Sequence, residues 1–380
     1  MVTQKDRKRL VFVGGGHVHL LCLKNTDRFV RDGAEVTLIG PDRFHYYSGM
    51  GPGMVSGFYR PEQVRFDIQT MVESRGGVFV QDKVRSIDKS SKTLMLQSGE
   101  KISYDVVSFN VGSYVPMDRI PGAQESAIPV KPIERLQSVR EAILNQVSDT
   151  DPKTRVLVIG AGPAGVELAG NIWRFARDQN RQVDITVANS RDRVLPNLTS
   201  KAGILAQASL TRRGIRILPN FRVARMENGA ARSQSGDEVS FDVAILTIGI
   251  MPQRVFADSG LTTSEDGALL VDDHLESVDS ADIFGGGDCI AIQGHPIDRV
   301  GVYAVREAPV LFENLLARLT GKPLSPFRPQ GTYLLIFNLG DGSGIFVRGS
   351  WVWQGRLAFT LKNYLDTRFM ERFQVSGERG

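Results

Sequence analysis

The chain has 380 residues, which is long enough for two or three domains that each bury a hydrophobic core. Its 42% hydrophobic and 23% charged residues are typical of a globular protein, and a net charge of +4 is too weak to indicate nucleic-acid binding. The two cysteines, Cys22 and Cys289, lack the spacing of a metal site or a redox pair. We therefore predict no metal and a reducing, cytoplasmic location.

A glycine-rich turn closes the first apolar strand. Residues 9–40 are typical of a strand, a turn, a helix and a second strand, with Gly14, Gly15 and Gly16 at the turn. Glycine lets the chain turn sharply and lets backbone N–H groups approach a diphosphate, and the helix N-terminus adds a partial positive charge. The turn therefore predicts a dinucleotide site.

Two histidines make this turn irregular. His19 stands where the usual pattern has a third glycine, which lets the helix pack closely on the strand. His17 is close enough to a diphosphate to donate a hydrogen bond, so we include it among the candidate cofactor ligands. For both histidines, a role in core packing explains the position equally well.

The stretch after this unit predicts irregular chain followed by short strands. Residues 45–59 are rich in Tyr, Gly, Met and Pro and predict a loop. The apolar stretches at residues 77–81, 92–96 and 104–109 predict strands joined by polar turns.

A second glycine-rich turn repeats the pattern in a more regular form. Residues 156–159 form an apolar strand that leads into Gly160, Gly162 and Gly165, and the following residues have the apolar spacing of a helix. The strand, turn and helix together are the context that this motif requires. A second dinucleotide site follows.

The repeated units predict a nested α/β fold. Residues 284–288, which contain Gly287 and Asp288, return to a glycine-rich turn late in the chain. We predict two Rossmann-like, three-layer ββα domains, the second inserted in the first. The predicted boundaries are residues 1–116 and 251–325 for an FAD domain, 117–250 for an NAD(P) domain, and 326–380 for a small α+β section.

The C-terminal section contains an apolar pattern with a spacing of four residues. Its members are Leu357, Leu361, Leu365, Phe369 and Phe373, with Lys362, Arg368 and Arg372 among the polar positions. The pattern predicts an amphipathic helix. Such a helix covers the flavin domain, rests on a membrane surface or pairs with a second copy of the chain, and the sequence leaves these alternatives open.

The three glycine signatures together resemble flavoproteins that bind two dinucleotides. These include pyridine nucleotide–disulfide oxidoreductases, type II NADH dehydrogenases and sulfide:quinone oxidoreductases, and the resemblance covers residues 9–325. Residues 47–53, 110–113, 301–307 and 361–370 are similar to the NADH-dehydrogenase-like branch that is sometimes fused in front of selenide, water dikinase. The chain is expected to be a stand-alone member of that branch.

The resemblance implies FAD as the cofactor and NADPH or NADH as the co-substrate. The glycines of the first turn are expected to hold the FAD diphosphate, and Asp288 to accept a hydrogen bond from the ribityl chain. A helix that begins at Gly301 is expected to direct its N-terminus at the flavin O2 edge. The other implied cofactor-binding positions are Gly112, Gly249, Gly287, Val302 and Ala304.

The chain departs from the family pattern where a carboxylate usually binds the ribose. The strand of the first unit ends in residues 38–41 without an acidic residue, and that of the second ends in Asn189. Asn189 does not repel a 2′-phosphate, and Arg191 or Arg193 can pair with one. This comparison favours NADPH over NADH.

The absence of cysteine from residues 46–59 excludes disulfide reduction by a cysteine relay in that segment. We predict that hydride passes from NAD(P)H to flavin N5 and that a quinone or another acceptor takes the electrons. Glu167 is expected to position the nicotinamide or relay a proton, and Tyr303 to line the acceptor site with Tyr46 and Tyr47. Packing explains these residues nearly as well.

Two alternatives stay open at this stage. One is a sulfide:quinone oxidoreductase-like enzyme, and the other is a non-catalytic flavin module that serves a partner in selenium metabolism. The expected partners are the nicotinamide nucleotide, a quinone, the inner face of a membrane and a second copy of the chain. Nucleic acid is not among them.

Overall fold

The computed structural model describes residues 7–146 and 153–378. The helices are α1 (His19–Lys24), α2 (Thr26–Arg31), α3 (Gly51–Val55), α4 (Ile68–Glu73), α5 (Ala123–Ser126), α6 (Leu136–Asn145), α7 (Pro163–Asp178), α8 (Ser200–Thr211), α9 (Val255–Asp258), α10 (Gly301–Thr320) and α11 (Arg356–Phe373).

The strands of the first half are β1 (Lys8–Val13), β2 (Ala34–Gly40), β3 (Phe44–Tyr46), β4 (Arg65–Asp67), β5 (Val78–Gln81), β6 (Val84–Asp88), β7 (Thr93–Leu96), β8 (Lys101–Ser103), β9 (Val106–Phe109), β10 (Ser113–Tyr114), β11 (Ala127–Pro129), β12 (Lys153–Ile159) and β13 (Gln182–Ala188). Those of the second half are β14 (Arg216–Leu218), β15 (Val223–Glu227), β16 (Ala230–Ser233), β17 (Glu238–Ser240), β18 (Val243–Leu246), β19 (Met251–Pro252), β20 (Leu269–Val271), β21 (Glu276–Ser277), β22 (Ser280–Gly285), β23 (Ile290–Ile292), β24 (Leu334–Asn338), β25 (Gly344–Arg348) and β26 (Trp351–Gly355).

An eight-stranded sheet is built from the two ends of the chain. Its order is β23-β20-β21-β22-β9-β1-β2-β5, and the run from β22 to β5 is parallel. Leu10 of β1 pairs with Val36 of β2 on one side and Val106 of β9 on the other. Because helices cover a parallel sheet on both faces, its central strands are almost wholly apolar, as β9 is.

A five-stranded sheet is built entirely from the middle of the chain. Its order is β11-β18-β12-β13-β14, and every pairing is parallel. Each unit also contains an antiparallel three-stranded sheet, which is β6–β8 in the first unit and β15–β17 in the second. This is the predicted nested α/β arrangement, and the fold class is confirmed.

The two chain segments that connect the first unit to the second lie side by side. Ser113 of β10 pairs with Pro252 of β19 in an antiparallel two-stranded sheet. The chain therefore leaves the eight-stranded sheet and returns to it at one place. The exact limits at residues 116, 250 and 325 stay predictions.

The segment predicted as a loop contains a short helix. Residues 48–50 form a 3-10 turn that leads into α3, whose five residues are all buried. Gly53 is required there, since a Cβ would come within 2.6 Å of the Tyr59 ring. Close tertiary packing, rather than local propensity, makes this helix, and the loop prediction was wrong here.

The C-terminal section folds as predicted into α+β structure, but α11 does not bury the predicted stripe. The helix packs on the antiparallel sheet β24–β26. Leu357 is 76% exposed, whereas Phe373 is 4% exposed. A spacing of four residues drifts by about 40° per step around a helix with 3.6 residues per turn, so the stripe passes from the outer face to the inner one. Lys362, expected among the polar positions, is buried.

Across the two described stretches, none of the helices combines the length and the apolar character that crossing a bilayer demands.

Candidate cofactor and active site

Asn110 organises the first glycine turn. A Cβ at Gly14 or at Gly16 would collide with the Asn110 backbone or side-chain oxygen. The Asn110 side-chain oxygen accepts a hydrogen bond from the Val18 N–H at 3.1 Å, and its amide donates to the Gly286 carbonyl at 2.7 Å. One side chain thus joins the first turn to the late glycine turn, which explains why both turns need glycine.

His19 is a structural residue. Its ring is fully buried, and Nδ1 lies 2.6 Å from the Gly14 carbonyl oxygen, to which it must donate. The other nitrogen, Nε2, therefore accepts the hydrogen bond from the Ser108 hydroxyl at 2.8 Å. The imidazole replaces the missing third glycine by bonding to the turn itself.

Asp288 forms an ion pair that connects the two units. Its Oδ2 accepts hydrogen bonds from Lys131 Nζ at 2.6 Å and from the Ser113 hydroxyl at 2.8 Å. Lys131 follows β11 of the five-stranded sheet, whereas Asp288 follows β22 of the eight-stranded sheet. Although burial raises the pKa of Asp288, Lys131 and Ser113 outweigh it and the pKa is lowered. Both contacts use Oδ2, so Oδ1 is the atom that we expect a ribityl hydroxyl to reach.

Glu307 on α10 contacts the late glycine turn that contains Gly287 and Asp288. Its side chain is fully buried, Oε2 accepts a hydrogen bond from the Gly287 N–H at 2.6 Å, and Oε1 has no partner. Burial raises the pKa of Glu307 to about 7. The glutamate is therefore a proton-exchanging group next to the predicted cofactor turn, and nothing in the sequence pattern indicated its burial.

The start of α10 lies beside Asp288 and Glu307. Ala304 and Tyr303 line a small pocket with Asp288 and Glu307, and Val302 is half-buried nearby in the first turn of the helix. The Tyr303 hydroxyl donates to the Gln330 carbonyl at 2.9 Å. This contact fixes the segment before β24, while the Tyr303 ring remains in the pocket wall.

The second glycine turn has the expected geometry. Gly160 has a φ of +112°, and a Cβ at Gly165 would collide with the Gly160 carbonyl oxygen. Gly165 therefore allows α7 to pack closely on β12. Apart from the adjoining residues of the chain, no heavy atom of the described residues lies within 4 Å of where a Cβ would stand at Gly162, at Gly249 or at Gly112. These three positions border open space that a ligand can occupy.

The end of β13 presents an unpartnered donor. Asn189 is 3% exposed, and its side-chain nitrogen has no hydrogen-bond partner. Arg193, one of the two arginines considered for a 2′-phosphate, instead donates to the carbonyls of Leu195 and Pro196. Arg191 is exposed, so its guanidinium is the one that can reach a ligand there.

Glu167 belongs to a buried polar network that the sequence did not reveal. Its Oε1 accepts a hydrogen bond from the Asn338 N–H at 2.7 Å. Lys362 of α11 donates to Asp366 at 2.8 Å and to the Gly49 carbonyl at 2.7 Å. Burial is the main reason that the pKa of Glu167 rises to about 7, and Lys362 opposes the rise. Glu167 can therefore exchange a proton near neutral pH.

Two tyrosines form hydrogen bonds with α11, Tyr47 from the segment before α3 and Tyr59 from the segment after it. The Tyr47 hydroxyl donates to Asp366 Oδ1 at 3.1 Å, and the Tyr59 hydroxyl donates to the Asn363 side-chain oxygen at 2.8 Å. Burial raises the pKa of the Tyr47 hydroxyl well above its ordinary value. Both hydroxyls therefore stay protonated and fix α11 against the site.

Neither cysteine is available for chemistry. Both are free and buried, and the Cys289 thiol donates to the Phe109 and Gly286 carbonyls. Burial raises the pKa of Cys289 to about 12 and raises that of Cys22 as well. Since the thiolate is the reactive form, neither residue supports a disulfide relay or an oxidation of sulfide that depends on cysteine.

The described residues fit two dinucleotides. Gly112, Gly162 and Gly249 border open space, and buried polar atoms without partners remain at Asn189 and Glu307. A buried polar atom without a partner is costly, so an absent hydrogen-bonding ligand explains it.

The family model for pyridine nucleotide-disulphide oxidoreductases matches residues 8–308. The chain belongs to this family. It is accordingly an oxidoreductase that uses FAD and a nicotinamide nucleotide.

Relatives and solved structures agree with this membership. Ferroptosis suppressor protein 1 of Taeniopygia guttata is 26% identical over 89% of this chain and 88% of that protein. The type II NADH:quinone oxidoreductase of Staphylococcus aureus (strain NCTC 8325) is 22% identical over 98% of this chain and 97% of that protein. NDH2 of Plasmodium falciparum, solved in complex with NADH, has a TM-score of 0.82 at 16% identity and covers 97% of this chain and 98% of that one.

Proposed function

We propose that this oxidoreductase takes hydride from NADPH or NADH and delivers the electrons to a quinone. The carrying observation is that the two dinucleotide units meet at one set of residues. Lys131 of the inserted unit donates to Asp288, and Lys362, whose charge lowers the pKa of Glu167 on α7, donates to the Gly49 carbonyl. The type II NADH:quinone oxidoreductase relatives support the quinone as acceptor.

Each unit supplies one cofactor cradle in this proposal. The backbone of Gly14, Gly15 and Gly16 would hold the FAD diphosphate, with Asp288 on the ribityl chain. The backbone of Gly160 and of the first turn of α7 would hold the nicotinamide nucleotide diphosphate. The remaining cofactor contacts are proposed at Gly112, Gly162, Gly165, Gly249, Gly287, Val302 and Ala304. When bound, FAD supplies the chemistry of accepting a hydride and releasing two electrons.

Glu167 positions the nicotinamide and exchanges a proton. Its Oε1 is fixed by the Asn338 N–H, which leaves Oε2 to interact with the nucleotide. Burial favours the neutral form of the Glu167 carboxyl and the charge of Lys362 favours the ionised form. Because the Asn338 N–H fixes the carboxyl, Glu167 would hold the nucleotide in an orientation suited to hydride transfer.

The nucleotide is NADPH rather than NADH in this proposal. Asn189 replaces the usual carboxylate with a buried neutral amide, and its side-chain nitrogen is free to donate to a ribose or phosphate oxygen. Arg191 is exposed beside it and can pair with a 2′-phosphate. Arg193 is excluded from that role, since its guanidinium is bonded to backbone carbonyls.

An exposed apolar surface suits a membrane from which a quinone enters. Trp351 is 75% exposed and Leu357 is 76% exposed, although both are apolar. Trp353, Tyr364 and Leu365 are also exposed on β26 and the outer face of α11. We call these five side chains the apolar C-terminal surface. Trp and Tyr favour the boundary between lipid and water, and exposed arginines at positions 356, 368 and 372 favour anionic lipid.

The resemblance to domains fused to selenide, water dikinase is kept as a proposal about ancestry. It rests on residues 47–53, 110–113, 301–307 and 361–370, of which the first lies at α3 and the third at the start of α10. It adds no chemistry to the residues described above.

Anaerobic mixing with NADPH and with NADH tests the proposal. We expect the flavin absorbance of the purified holoprotein to bleach within the turnover time, faster with NADPH, and to return on addition of ubiquinone-1. A flavoprotein that neither nucleotide reduces would refute hydride transfer. If the flavin absorbance bleaches but does not return when ubiquinone-1 is added, the proposal that a quinone is the electron acceptor is refuted.

Cosedimentation with anionic vesicles tests the membrane contact. We expect the wild-type protein to bind and a W351A/L357A variant to bind at least tenfold more weakly, with unchanged nucleotide-dependent bleaching. I204A, at an exposed apolar residue outside this surface, is the matched control. Equal vesicle binding by all three proteins, or a wild-type dimer that W351A/L357A abolishes, would refute membrane docking.

A further inference from the structure

Two histidines from distant parts of the sequence form a pair beside the first glycine turn. His17 Nδ1 lies 3.4 Å from His45 Nε2, with the rings nearly perpendicular at a centroid distance of 5.2 Å. His17 directly follows the turn at Gly14–Gly16, and His45 lies in β3. The pair is not explained by the cofactor contacts proposed above.

Aromatic side chains enclose the two rings. His17 stacks on Phe369 of α11 at 5.9 Å and contacts Tyr47 at 5.2 Å, while His45 stacks on Phe66 at 6.3 Å. The enclosure keeps both rings neutral: burial lowers the pKa of His17 to about 4 and that of His45 to about 3. A neutral imidazole has one N–H donor and one acceptor nitrogen, which is what proton transfer through the ring requires.

The His17 ring packs against side chains that lie outside the glycine turn. Its ring lies against Tyr47 and Phe369, which belong to the segment before α3 and to α11. Its remaining nitrogen, Nε2, is buried and has no partner. Asp288 raises the pKa of His17 and Lys131 lowers it, so the ring lies within the field of the residues at the proposed flavin site.

The pair also adjoins the network of Glu167. Tyr47 contacts the His17 ring and donates its hydroxyl hydrogen bond to Asp366, the partner of Lys362. His17 therefore lies at the edge of the same polar and aromatic site, with one nitrogen available to a ligand.

We propose that His17 and His45 form a proton relay that delivers a proton to the quinone oxygen while the flavin delivers the electrons. This inference rests on the proposed quinone acceptor. His17 is the proton donor at the acceptor, and His45 is the positioning and supplying residue behind it.

The step balances in atoms and charge. Reduction of a quinone to a hydroquinone takes two electrons and two protons. A bound reduced flavin would supply two electrons and one proton as hydride, and His17 Nε2–H supplies the second proton. His17 Nδ1 takes a proton from His45 Nε2–H in the same step. His45, which keeps partial solvent exposure, takes one from water at Nδ1, and the hydroxide ion that is left passes to the solvent.

A comparison of two acceptors tests the relay. Ubiquinone-1 takes up protons when reduced, whereas ferricyanide takes up only electrons. We expect His17→Phe to slow flavin reoxidation by ubiquinone-1 by about 100-fold, the range of general acid catalysis, and His45→Phe to slow it by about tenfold. Reoxidation by ferricyanide should change less than threefold in either variant. His295→Asn, at an exposed histidine outside the site, is the matched control.

Two measurements do not depend on turnover. FAD dissociation constants of His17→Phe and wild type should agree within threefold, because the ring is not assigned to the diphosphate. In ¹⁵N-histidine NMR spectra of the holoprotein, His45→Phe should shift the His17 Nδ1 resonance, because it removes the hydrogen bond between the rings.

Each outcome decides the matter. Equal quinone rates in wild type, His17→Phe and His45→Phe would overturn the relay while leaving the quinone acceptor intact. A wild-type flavin that quinone does not reoxidise would refute the proposed function instead. A tenfold or greater loss of FAD affinity in His17→Phe would reassign His17 to the cofactor. His17→Gln keeps an N–H but cannot relay a proton, so it should show the same quinone defect if the phenylalanine variant does not fold.

Discussion

Removing the charge of Asp366 is the sharpest test of the buried network behind the proposed hydride site. Lys362 and Asp366 have side-chain exposures of only 10% and 9%, and their charged atoms are 2.8 Å apart. Asp366→Asn keeps the size of the side chain and one acceptor oxygen, which serves the Tyr47 hydroxyl, while the new amide NH2 faces Lys362 Nζ. The variant therefore removes one charge and the hydrogen bond that Lys362 donates to Asp366.

The expected cost follows from the burial of Lys362. Leaving one charge of a buried pair without its partner costs about 3–5 kcal/mol of stability. Glu167 offsets part of this cost, because Asp366 raises the pKa of Glu167 and its removal favours the ionised glutamate beside Lys362. One pKa unit corresponds to about 1.4 kcal/mol, so we expect a net loss of about 2–4 kcal/mol.

Thermal unfolding of the FAD-loaded protein measures this loss. At an unfolding entropy of about 2.1 cal/mol/K per residue, 1 kcal/mol shifts the Tm of a 380-residue chain by about 1.3 °C, so Asp366→Asn should lower Tm by about 2.5–5 °C. The control variant K362M/D366L replaces both charges with apolar side chains and should unfold within about 2 kcal/mol of wild type. A Tm of Asp366→Asn equal to that of wild type would refute the reasoning that Lys362 depends on this carboxylate.

Four further outcomes follow from the site. Arg191→Ala should weaken NADPH binding about fivefold and leave NADH binding unchanged, measured by titration, and a parallel loss for NADH would contradict the phosphate contact. Gly165→Ala should abolish nucleotide-dependent bleaching while FAD stays bound, because the new Cβ collides with Gly160. Normal bleaching by this variant would exclude close packing of α7 on β12. Cys289→Ala should retain turnover with quinone, and its loss would revive a thiol mechanism. The rate of bleaching should change with pH around 7 through the Glu167 carboxyl, neutral below that pH and ionised above it, and Glu167→Gln should remove the inflection.

The fold was predictable from the sequence because its signals are local. An apolar strand, a glycine turn and an amphipathic helix lie within about 25 residues of one another in each parallel unit, and the turn chemistry depends on backbone conformation alone. Gly160 and Gly165 accordingly have the conformation and the close contact that the motif implies.

The site was only partly predictable, because its remaining residues meet across long sequence separations. Asn110 joins turns near residues 14 and 286, and Lys131 reaches Asp288 from the other sheet. Single residues of these types occur throughout the chain, so no local pattern distinguishes them. Asn110 and Asp288 lie in the stretches 110–113 and 284–288, which the sequence distinguished, whereas Lys131 lies in no such stretch.

The sequence by itself determined the two nucleotide turns, the nested α/β class and the absence of a cysteine relay, since each depends on residues that are neighbours in the chain. The tertiary structure decided which face of α11 is buried, that Lys362 and Asp366 lie on it, and that His17 meets His45. Burial and the pairing of charges depend on what packs against a helix, and a spacing of four residues cannot specify that face because it rotates around the helix as it advances.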